Sequence, residues 1–440
     1  MNGGVSAAGP DLDEVVELTR DLVRIDTSNP PGRETPAARH LLAYMEEAGA
    51  ECELAGPDPE RLNLIARVRG SGEGPSLMLM GHTDVVPAPR EGWSVDPFEG
   101  VIRDGRIYGR GVADMKGELA ARAVAVARLA RSGRIPAGDV VLVAESDEER
   151  NVSDAGMPWL VREREDLRCD YALNEGGGEL LRLPGGRSVV TIGIGEKLVS
   201  SARVRVRGAG GHASIPAGAD NPLRGAAEMT RRLLDHEMPV RVVPGVARAL
   251  ESLGAPDPAG DEFAAWAAAQ HQLLGGLLPA MVQSTVTPTG LEAGEPPNVI
   301  PLHADVICDC RLLPGSTEQD LRDLVAEAVG DDVAYELELL EPLAGGTESP
   351  TDTPLFEACA AFARERIPGV EILPFISPGF SDSYWVRREW DTVAYGFAPV
   401  FSTDPVTYHE GFHAADECID TADLVTMTDL AEHAIAALVG

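Results

Sequence analysis

Apolar side chains recur along the chain with two different periods, and these periods predict helices and strands. Helical spacing occurs in residues 12–25, 34–48 and 116–129. Strands are predicted at residues 62–68, 76–80 and 140–144, and the last two are buried, with 76–80 a short apolar run typical of a covered parallel sheet. This alternation of strands and helices predicts an α/β fold with a mostly parallel central sheet that is flanked by helices.

The pattern changes near residue 190. Strict alternation of apolar and polar residues predicts a half-buried strand at residues 198–207, and further strands are predicted at 282–288 and 303–312. Helices are predicted between them, at residues 221–234 and 263–277. From residue 317 the helix–strand alternation resumes and ends in a helix at 421–439. We therefore expect a main domain of residues 1–191 and 315–440, interrupted by a smaller α+β domain of residues 192–314.

Composition narrows the classes of function. The 440 residues carry a net charge of −34, which argues against nucleic acid or an anionic membrane as a partner, because both would be repelled. No run approaches the roughly 18 apolar residues that span a bilayer. Residues 1–10 lack the basic start and apolar stretch of a signal peptide, so we expect a cytoplasmic protein.

Histidine and carboxylate residues follow the predicted buried strands. His82 and Asp84 come after the strand at 76–80, and Glu148 and Glu149 come after the strand at 140–144. In a parallel sheet such positions meet at one edge. Asp114 precedes a helix, where it could also be an ordinary helix cap. Imidazole and carboxylate ligands, with one carboxylate left over as a base, suit a two-metal hydrolase.

Four motifs resemble those of one enzyme family. They are Gly81-His-Thr-Asp-Val-Val-Pro87, Gly109-Arg-Gly-Val-Ala-Asp-Met-Lys-Gly117, Glu175-Gly-Gly and His413-Ala-Ala-Asp-Glu417, in which Ala414 replaces the usual glycine. Together they resemble the di-zinc metallopeptidases that include aminoacylase, acetylornithine deacetylase, succinyl-diaminopimelate desuccinylase and glutamate carboxypeptidase. The resemblance runs from about residue 12 to the C-terminal helix.

The resemblance implies a set of metal ligands. One metal would be held by Asp114, Glu149 and His413, and the other by His82, Asp114 and Glu175, with a water bridging the two. Glu148 would be the general base, and Asp84 would orient His82. Zinc is expected, with cobalt or manganese as alternatives. His409 has no glutamate four residues later, so it is interpreted as a polar neighbour of the site rather than a ligand.

The resemblance also implies residues that face the substrate. His212, which from the sequence alone could be a turn residue, would stabilise the oxyanion, in its own subunit or in the partner's. Asn298, Arg311 and Gly379 would line the substrate site. Arg311 could hold the free carboxylate of the substrate, because its planar guanidinium suits bidentate binding, or it could be an ordinary surface arginine.

These observations predict a di-metal amidohydrolase that cleaves the C–N bond of an N-acyl amino acid or a short peptide. Residues 192–314 would then form a lid and dimerisation domain inserted into the catalytic domain, and the protein would be a homodimer. A carboxypeptidase or dipeptidase of the same family is the alternative. A non-catalytic protein that binds small molecules is the alternative from another class, although no ligand or base is missing from the motifs.

Overall fold

In a computed structural model of the chain, residues 10–150, 154–294 and 296–440 are described. The first nine residues, part of the segment in which no signal peptide is expected, lie outside that range. The α-helices are α1 Pro10–Val23, α2 Thr35–Ala48, α3 Lys116–Ser132, α4 Met157–Glu163, α5 Pro222–Asp235, α6 Pro244–Leu253, α7 Phe263–Gln270, α8 Gln272–Val282, α9 Glu318–Val329, α10 Pro354–Arg366, α11 Ser383–Trp390, α12 Pro405–Gly411 and α13 Thr421–Val439. Among the described residues, every helix is too short or too polar to cross a membrane.

The strands are also numbered in chain order. They are β1 Glu51–Ala55, β2 Asn63–Val68, β3 Leu77–His82, β4 Val101–Arg103, β5 Arg106–Tyr108, β6 Val140–Glu145, β7 Tyr171–Asn174, β8 Gly177–Arg182, β9 Ser188–Glu196, β10 Leu198–Arg207, β11 Gly211–His212, β12 Thr285–Glu292, β13 Val299–Ile300, β14 His303–Leu312, β15 Glu336–Leu339, β16 Glu371–Ser377, β17 Val393–Gly396 and β18 Cys418–Asp420. The chain divides into two compact units. Unit 1 comprises Met1–Ile194, Ser349–Phe375 and Ser381–Gly440, and unit 2 comprises Gly195–Glu348 and Ile376–Phe380.

The central sheet of unit 1 has the strand order β1-β2-β6-β3-β7-β17-β9-β16, with β8 added beside β9. Its four middle strands, β6, β3, β7 and β17, run parallel, and antiparallel pairs lie outside them. Each residue of β3 and β6 is buried. This architecture confirms the predicted α/β fold with a parallel core. It also places the carboxyl ends of β3, β6 and β7 side by side at one edge.

Helices cover both faces of this sheet. Met78 and Met80 of β3 pack into a cluster with Leu160 of α4 and with Val386 and Trp390 of α11. The alternating residues of β3 point to the opposite face, where α3 packs against the strand. The first turn of α3 approaches the preceding loop so closely that a side chain at Gly117 would collide with the carbonyl oxygen of Val112. The loop that carries Asp114 is therefore held tightly against its own helix.

Unit 2 is built on an antiparallel sheet of order β12-β14-β10-β15. Helices α5 and α9 contribute buried residues to the core on this sheet, which also contains Cys308 and Cys310. Unit 2 extends beyond residue 314, because α9 belongs to this core and β15 pairs with β10.

One sequence expectation in this unit is wrong. Residues 263–277 do not form one helix, since the extended backbone of His271 divides the segment into α7 and α8. His271 instead caps α8, its ring nitrogen accepting a hydrogen bond from the backbone N–H of Leu273. Helix α6 was not predicted.

Candidate metal centre

His82 ends β3 and is buried. Its Nδ1 lies 2.9 Å from the backbone carbonyl oxygen of Asp84 and 3.6 Å from the Asp84 carboxylate. The backbone carbonyl of Asp84 is therefore the nearer acceptor for Nδ1. When Nδ1 donates its proton to this carbonyl, Nε2 keeps a lone pair that can bind a cation.

The carboxylate of Asp84 holds the neighbouring acidic segment. It accepts hydrogen bonds from the backbone N–H groups of Glu148 and Glu149, each at 3.2 Å, and from Nδ2 of Asn29 at 2.9 Å. Asp84 therefore fixes the positions of the proposed base and the proposed ligand beside it. Asn29, which lies 55 residues away in sequence, was not predicted to take part.

Asp114 lies between two histidines. Its Oδ1 is 3.2 Å from Nε2 of His82, and its Oδ2 is 3.3 Å from Nε2 of His413. The peptide bond between Asp114 and Met115 is cis. A carboxylate that presents one oxygen to each of two histidines has the arrangement of a ligand shared by two cations.

A further carboxylate accompanies each histidine. Oε2 of Glu175, at the end of β7, lies 3.5 Å from Nε2 of His82. Oε2 of Glu149 lies 3.1 Å from Nε2 of His413, and its other oxygen accepts a hydrogen bond from the N–H of Val86. The ligand atoms within each of the two groups, His82–Asp114–Glu175 and Asp114–Glu149–His413, lie within 4.8 Å of one another.

Two residues of the centre have left-handed backbones. Asp147 has φ of 63° and His413 has φ of 59°, values that few residues other than glycine adopt. Asp147 is held there by Arg61 at 2.9 Å and by Asn29 at 2.7 Å. Such strained positions persist where surrounding contacts hold them, and here they turn the chain beside Glu148 and at His413.

Glu417 links the C-terminal part of the chain to the loop of residues 110–114 at this centre. Its buried carboxylate accepts hydrogen bonds from Arg110 at 2.6 Å and from the backbone N–H groups of Gly111, Ala113 and Asp114 at 3.0, 2.8 and 3.1 Å. This is the glutamate of the His413 motif. The motif therefore supplies a ligand candidate and also fixes the loop that carries Asp114.

Buried negative charge surrounds these residues. Burial, followed by the charge of Glu175, raises the pKa of Glu148 well above its usual range. Burial and the charge of Glu145 likewise raise the pKa of Asp382 well above its usual range. The two carboxylate oxygens of Asp382 are buried and accept no hydrogen bond from the described residues. Hydrogen bonds to Asp114 and Glu149 raise the pKa of His413 to about 10. Asp382 was not singled out from the sequence.

The residues present fit a pair of divalent metal ions. Each group offers one imidazole nitrogen and carboxylate oxygens, a donor set that suits zinc, cobalt or manganese. Bound cations would also compensate the carboxylates that otherwise repel one another. The carboxylate of Glu148 belongs to neither group, and it accepts no hydrogen bond from a described residue.

The remaining predicted site residues lie in unit 2. His212 pairs with Val299 across β11 and β13, and the N–H of Ala213 donates to the carbonyl of Asn298 at 2.9 Å, so His212 and Asn298 are neighbours. Arg311, on β14, forms an ion pair with Asp309 at 2.9 Å. The N–H of Gly379 donates to the hydroxyl of Ser377 at 3.1 Å in a separate segment of this unit.

The chain is similar to known proteins along most of its length. Residues 78–437 match Peptidase family M20/M25/M40. A succinyl-diaminopimelate desuccinylase of Acidiphilium cryptum is 32% identical over 430 residues, covering 94% of this chain and 96% of that protein. The corresponding enzyme of Rhodospirillum centenum is 30% identical and covers 94% of both chains.

Solved structures share the fold. An M20 family metallo-carboxypeptidase, Sso-CP2 of Sulfolobus solfataricus, superposes with a TM-score of 0.69 at 18% identity, over 98% of this chain and 99% of that one. Human carnosine dipeptidase 1 superposes with a TM-score of 0.67 at 19% identity, over 96% and 95% of the two chains. The family match covers most of the chain and includes every residue of the two ligand groups, and the chain therefore belongs to Peptidase family M20/M25/M40, the metal-dependent hydrolases of amide bonds.

Proposed function

We propose that this protein removes the acyl group from an N-acyl amino acid, with two divalent metal ions at the candidate centre and Glu148 as the general base. The observation that carries the proposal is the position of Asp114, whose two oxygens face His82 and His413 separately. This arrangement favours two metals over one. Zinc is the proposed metal, because the ligands combine nitrogen and oxygen atoms.

The two groups of ligands would hold the metals, with Asp114 common to both. When bound, divalent metals supply a polarised substrate carbonyl and a water of lowered pKa. Glu148 lies beside the ligand Glu149, and hydrogen bonds from both backbone N–H groups to Asp84 fix it there. We propose that the Glu148 carboxylate accepts a proton from water and delivers it to the leaving amine.

We propose that His212 stabilises the oxyanion. Its Nδ1 lies 3.2 Å from the backbone nitrogen of Ser214 and 2.7 Å from the Ser214 hydroxyl oxygen. When Nδ1 accepts hydrogen bonds from these two groups, the neutral ring carries its proton on Nε2. The ring is exposed and can donate from Nε2.

We expect His212→Ala to lower kcat by about 100- to 1,000-fold, the typical effect of removing one oxyanion donor. The metal content should not change, because His212 is not in either ligand group. Steady-state kinetics and metal analysis on the same samples test this. His303→Ala, another histidine of unit 2, is the matched control, and an equal loss in both variants would contradict the assignment.

The substrate is proposed from the relatives. Two that cover 94% of this chain are named as desuccinylases, enzymes that remove an acyl group from an amine. The peptidases among the solved structures are less than 20% identical and support the fold alone. An N-acyl amino acid is therefore favoured over a peptide.

The experiment that tests this function is amine release from a panel of substrates by zinc- or cobalt-loaded protein. The panel contains N-acetyl, N-succinyl and long-chain N-acyl amino acids, together with dipeptides and peptides that end in glutamate. We expect cleavage of N-acyl amino acids that a chelator abolishes and added metal restores. Cleavage of peptides alone would contradict the deacylase assignment, and cleavage that resists complete metal removal would contradict the proposed metal centre.

We propose that unit 2 also forms a homodimer interface. Of the large hydrophobic residues that are exposed in the described part of the chain, most lie in this unit, namely Ile215, Leu223, Leu234, Leu291, Val299, Leu302 and Leu340. The concentration of exposed apolar side chains in one unit supports an interaction surface there.

A further inference from the structure

An ion pair that the proposed mechanism does not use lies close to the metal centre. Nε2 of His409 is 2.8 Å from Oε1 of Glu179. His409 lies on α12, four residues before His413, and Glu179 lies on β8, four residues after Glu175. Four residues of chain span at most about 14 Å, so each partner is near a candidate metal ligand.

The Glu179 carboxylate is buried, at 4% exposure, and its other oxygen is already occupied. That oxygen accepts a hydrogen bond from the hydroxyl of Thr191, which in turn accepts from the backbone N–H groups of Gly178 and Glu179. A buried carboxylate needs a compensating charge. Although burial opposes ionisation, the hydrogen bond and charge of His409 keep the pKa of Glu179 below its ordinary value.

His409 supplies that charge as an imidazolium. Burial alone would lower its pKa, but the hydrogen bond to Glu179 raises it overall. An imidazolium donates from both ring nitrogens, and only Nε2 is used by Glu179. The side chain is 39% exposed, and no described residue accepts a hydrogen bond from Nδ1. The ring therefore presents a charged N–H group that the protein itself does not use.

Three other basic side chains near the centre are committed to contacts within the protein. Arg110 pairs with buried Glu417 at 2.6 Å, and Arg61 pairs with Asp147 at 2.9 Å. The buried Nζ of Lys116 donates to two backbone carbonyl oxygens. A negatively charged part of a substrate would be repelled by the carboxylates of this region unless a cation met it. His409 is a cation with a donor available for that contact.

We propose that His409, held as a cation by Glu179, binds a second carboxylate of the substrate, one beyond the α-carboxylate of the amino acid. This inference rests on the proposed function and adds a substrate class to it, the N-acyl amino acids that carry an extra negative charge. The extra carboxylate can belong to the acyl group, as in an N-succinyl compound, or to the side chain, as in N-acetylglutamate. Both present the same chemistry to the imidazolium.

The test compares three substrates with the metal-loaded full chain, N-succinyl-alanine, N-acetylglutamate and N-acetylalanine. His409→Gln keeps a polar side chain but removes the charge. We expect it to lower kcat/KM for one of the two dianionic substrates by about tenfold or more relative to N-acetylalanine, as for loss of a charged hydrogen bond. The dianionic substrate that is affected identifies the source of the carboxylate. Glu179→Gln should also lower the ratio of kcat/KM for that dianionic substrate to kcat/KM for N-acetylalanine.

A matched control and a binding measurement complete the design. His40→Gln removes another exposed histidine that lies near a carboxylate, Asp21 at 3.8 Å, and should leave the ratio unchanged. Dissociation constants of the three compounds, measured in a Glu148→Gln background, give the same comparison without turnover. A ratio shift in binding with no turnover by the wild type would reject the proposed function and retain this inference. Ratios within twofold of the parent protein, or no binding of any compound, would overturn it.

Discussion

Glu148→Gln is expected to abolish nearly all turnover while the protein keeps both metals. Glutamine has the same size and accepts hydrogen bonds, but it cannot take a proton from water. General acid–base catalysis contributes about 100- to 10,000-fold, and kcat should fall by that factor. The metal content should remain at the parent level, because Glu148 belongs to neither ligand group. Kinetics and metal analysis on one preparation measure both quantities.

Glu410→Gln is the matched control for this variant. Glu410 is an exposed glutamate three residues before His413, and neither ligand group contains it. It should retain the parent kcat. Turnover near the parent value in Glu148→Gln would contradict the role of Glu148 as base, and loss of metal would show that Glu148 is a ligand instead.

Asp114→Asn is expected to disrupt both metal sites. The substitution replaces one of the two carboxylate oxygens by an amide nitrogen, which has no lone pair for a metal. Contacts that only orient a metal ligand are worth about 10- to 100-fold in affinity or activity, so loss of a shared ligand should exceed a hundredfold. We expect the number of bound metals to fall from two to one or none, as measured by elemental analysis after dialysis.

Asp416→Asn is the control for Asp114→Asn. Asp416 also lies close to His413 in sequence, but it accepts hydrogen bonds from Ser94 and is not in a ligand group. Its asparagine variant can keep the same contacts. Two tightly bound metals in Asp114→Asn would contradict the proposal that Asp114 is shared.

The ligand candidates were predictable because their sequence context is local. His82 and Glu149 follow apolar strands, and the parallel arrangement of those strands brings their ends together. The residues that hold the ligands were not predictable in the same way. Asn29 contacts Asp84 from 55 residues away, and Glu417 contacts the N–H of Asp114 from 303 residues away. The periodicity of a local segment cannot predict contacts between residues that are so far apart in sequence.

The wrong prediction of a single helix at residues 263–277 also has a physical explanation. Apolar residues continue at helical spacing through His271, so periodicity cannot show that the backbone becomes extended at that residue. Similarly, a histidine followed by a carboxylate two residues later predicts a contact between them. It does not predict whether the carboxyl group or the carbonyl of Asp84 is the nearer acceptor, because that depends on the turn after β3.

The central claim is that two metal ions share Asp114. Anomalous X-ray diffraction at the zinc absorption edge, from crystals of the zinc-loaded protein, tests it most directly. The account predicts two anomalous peaks, one within bonding distance of His82, Asp114 and Glu175 and the other within bonding distance of Asp114, Glu149 and His413. A single peak, or two peaks that have no common ligand at Asp114, would contradict it.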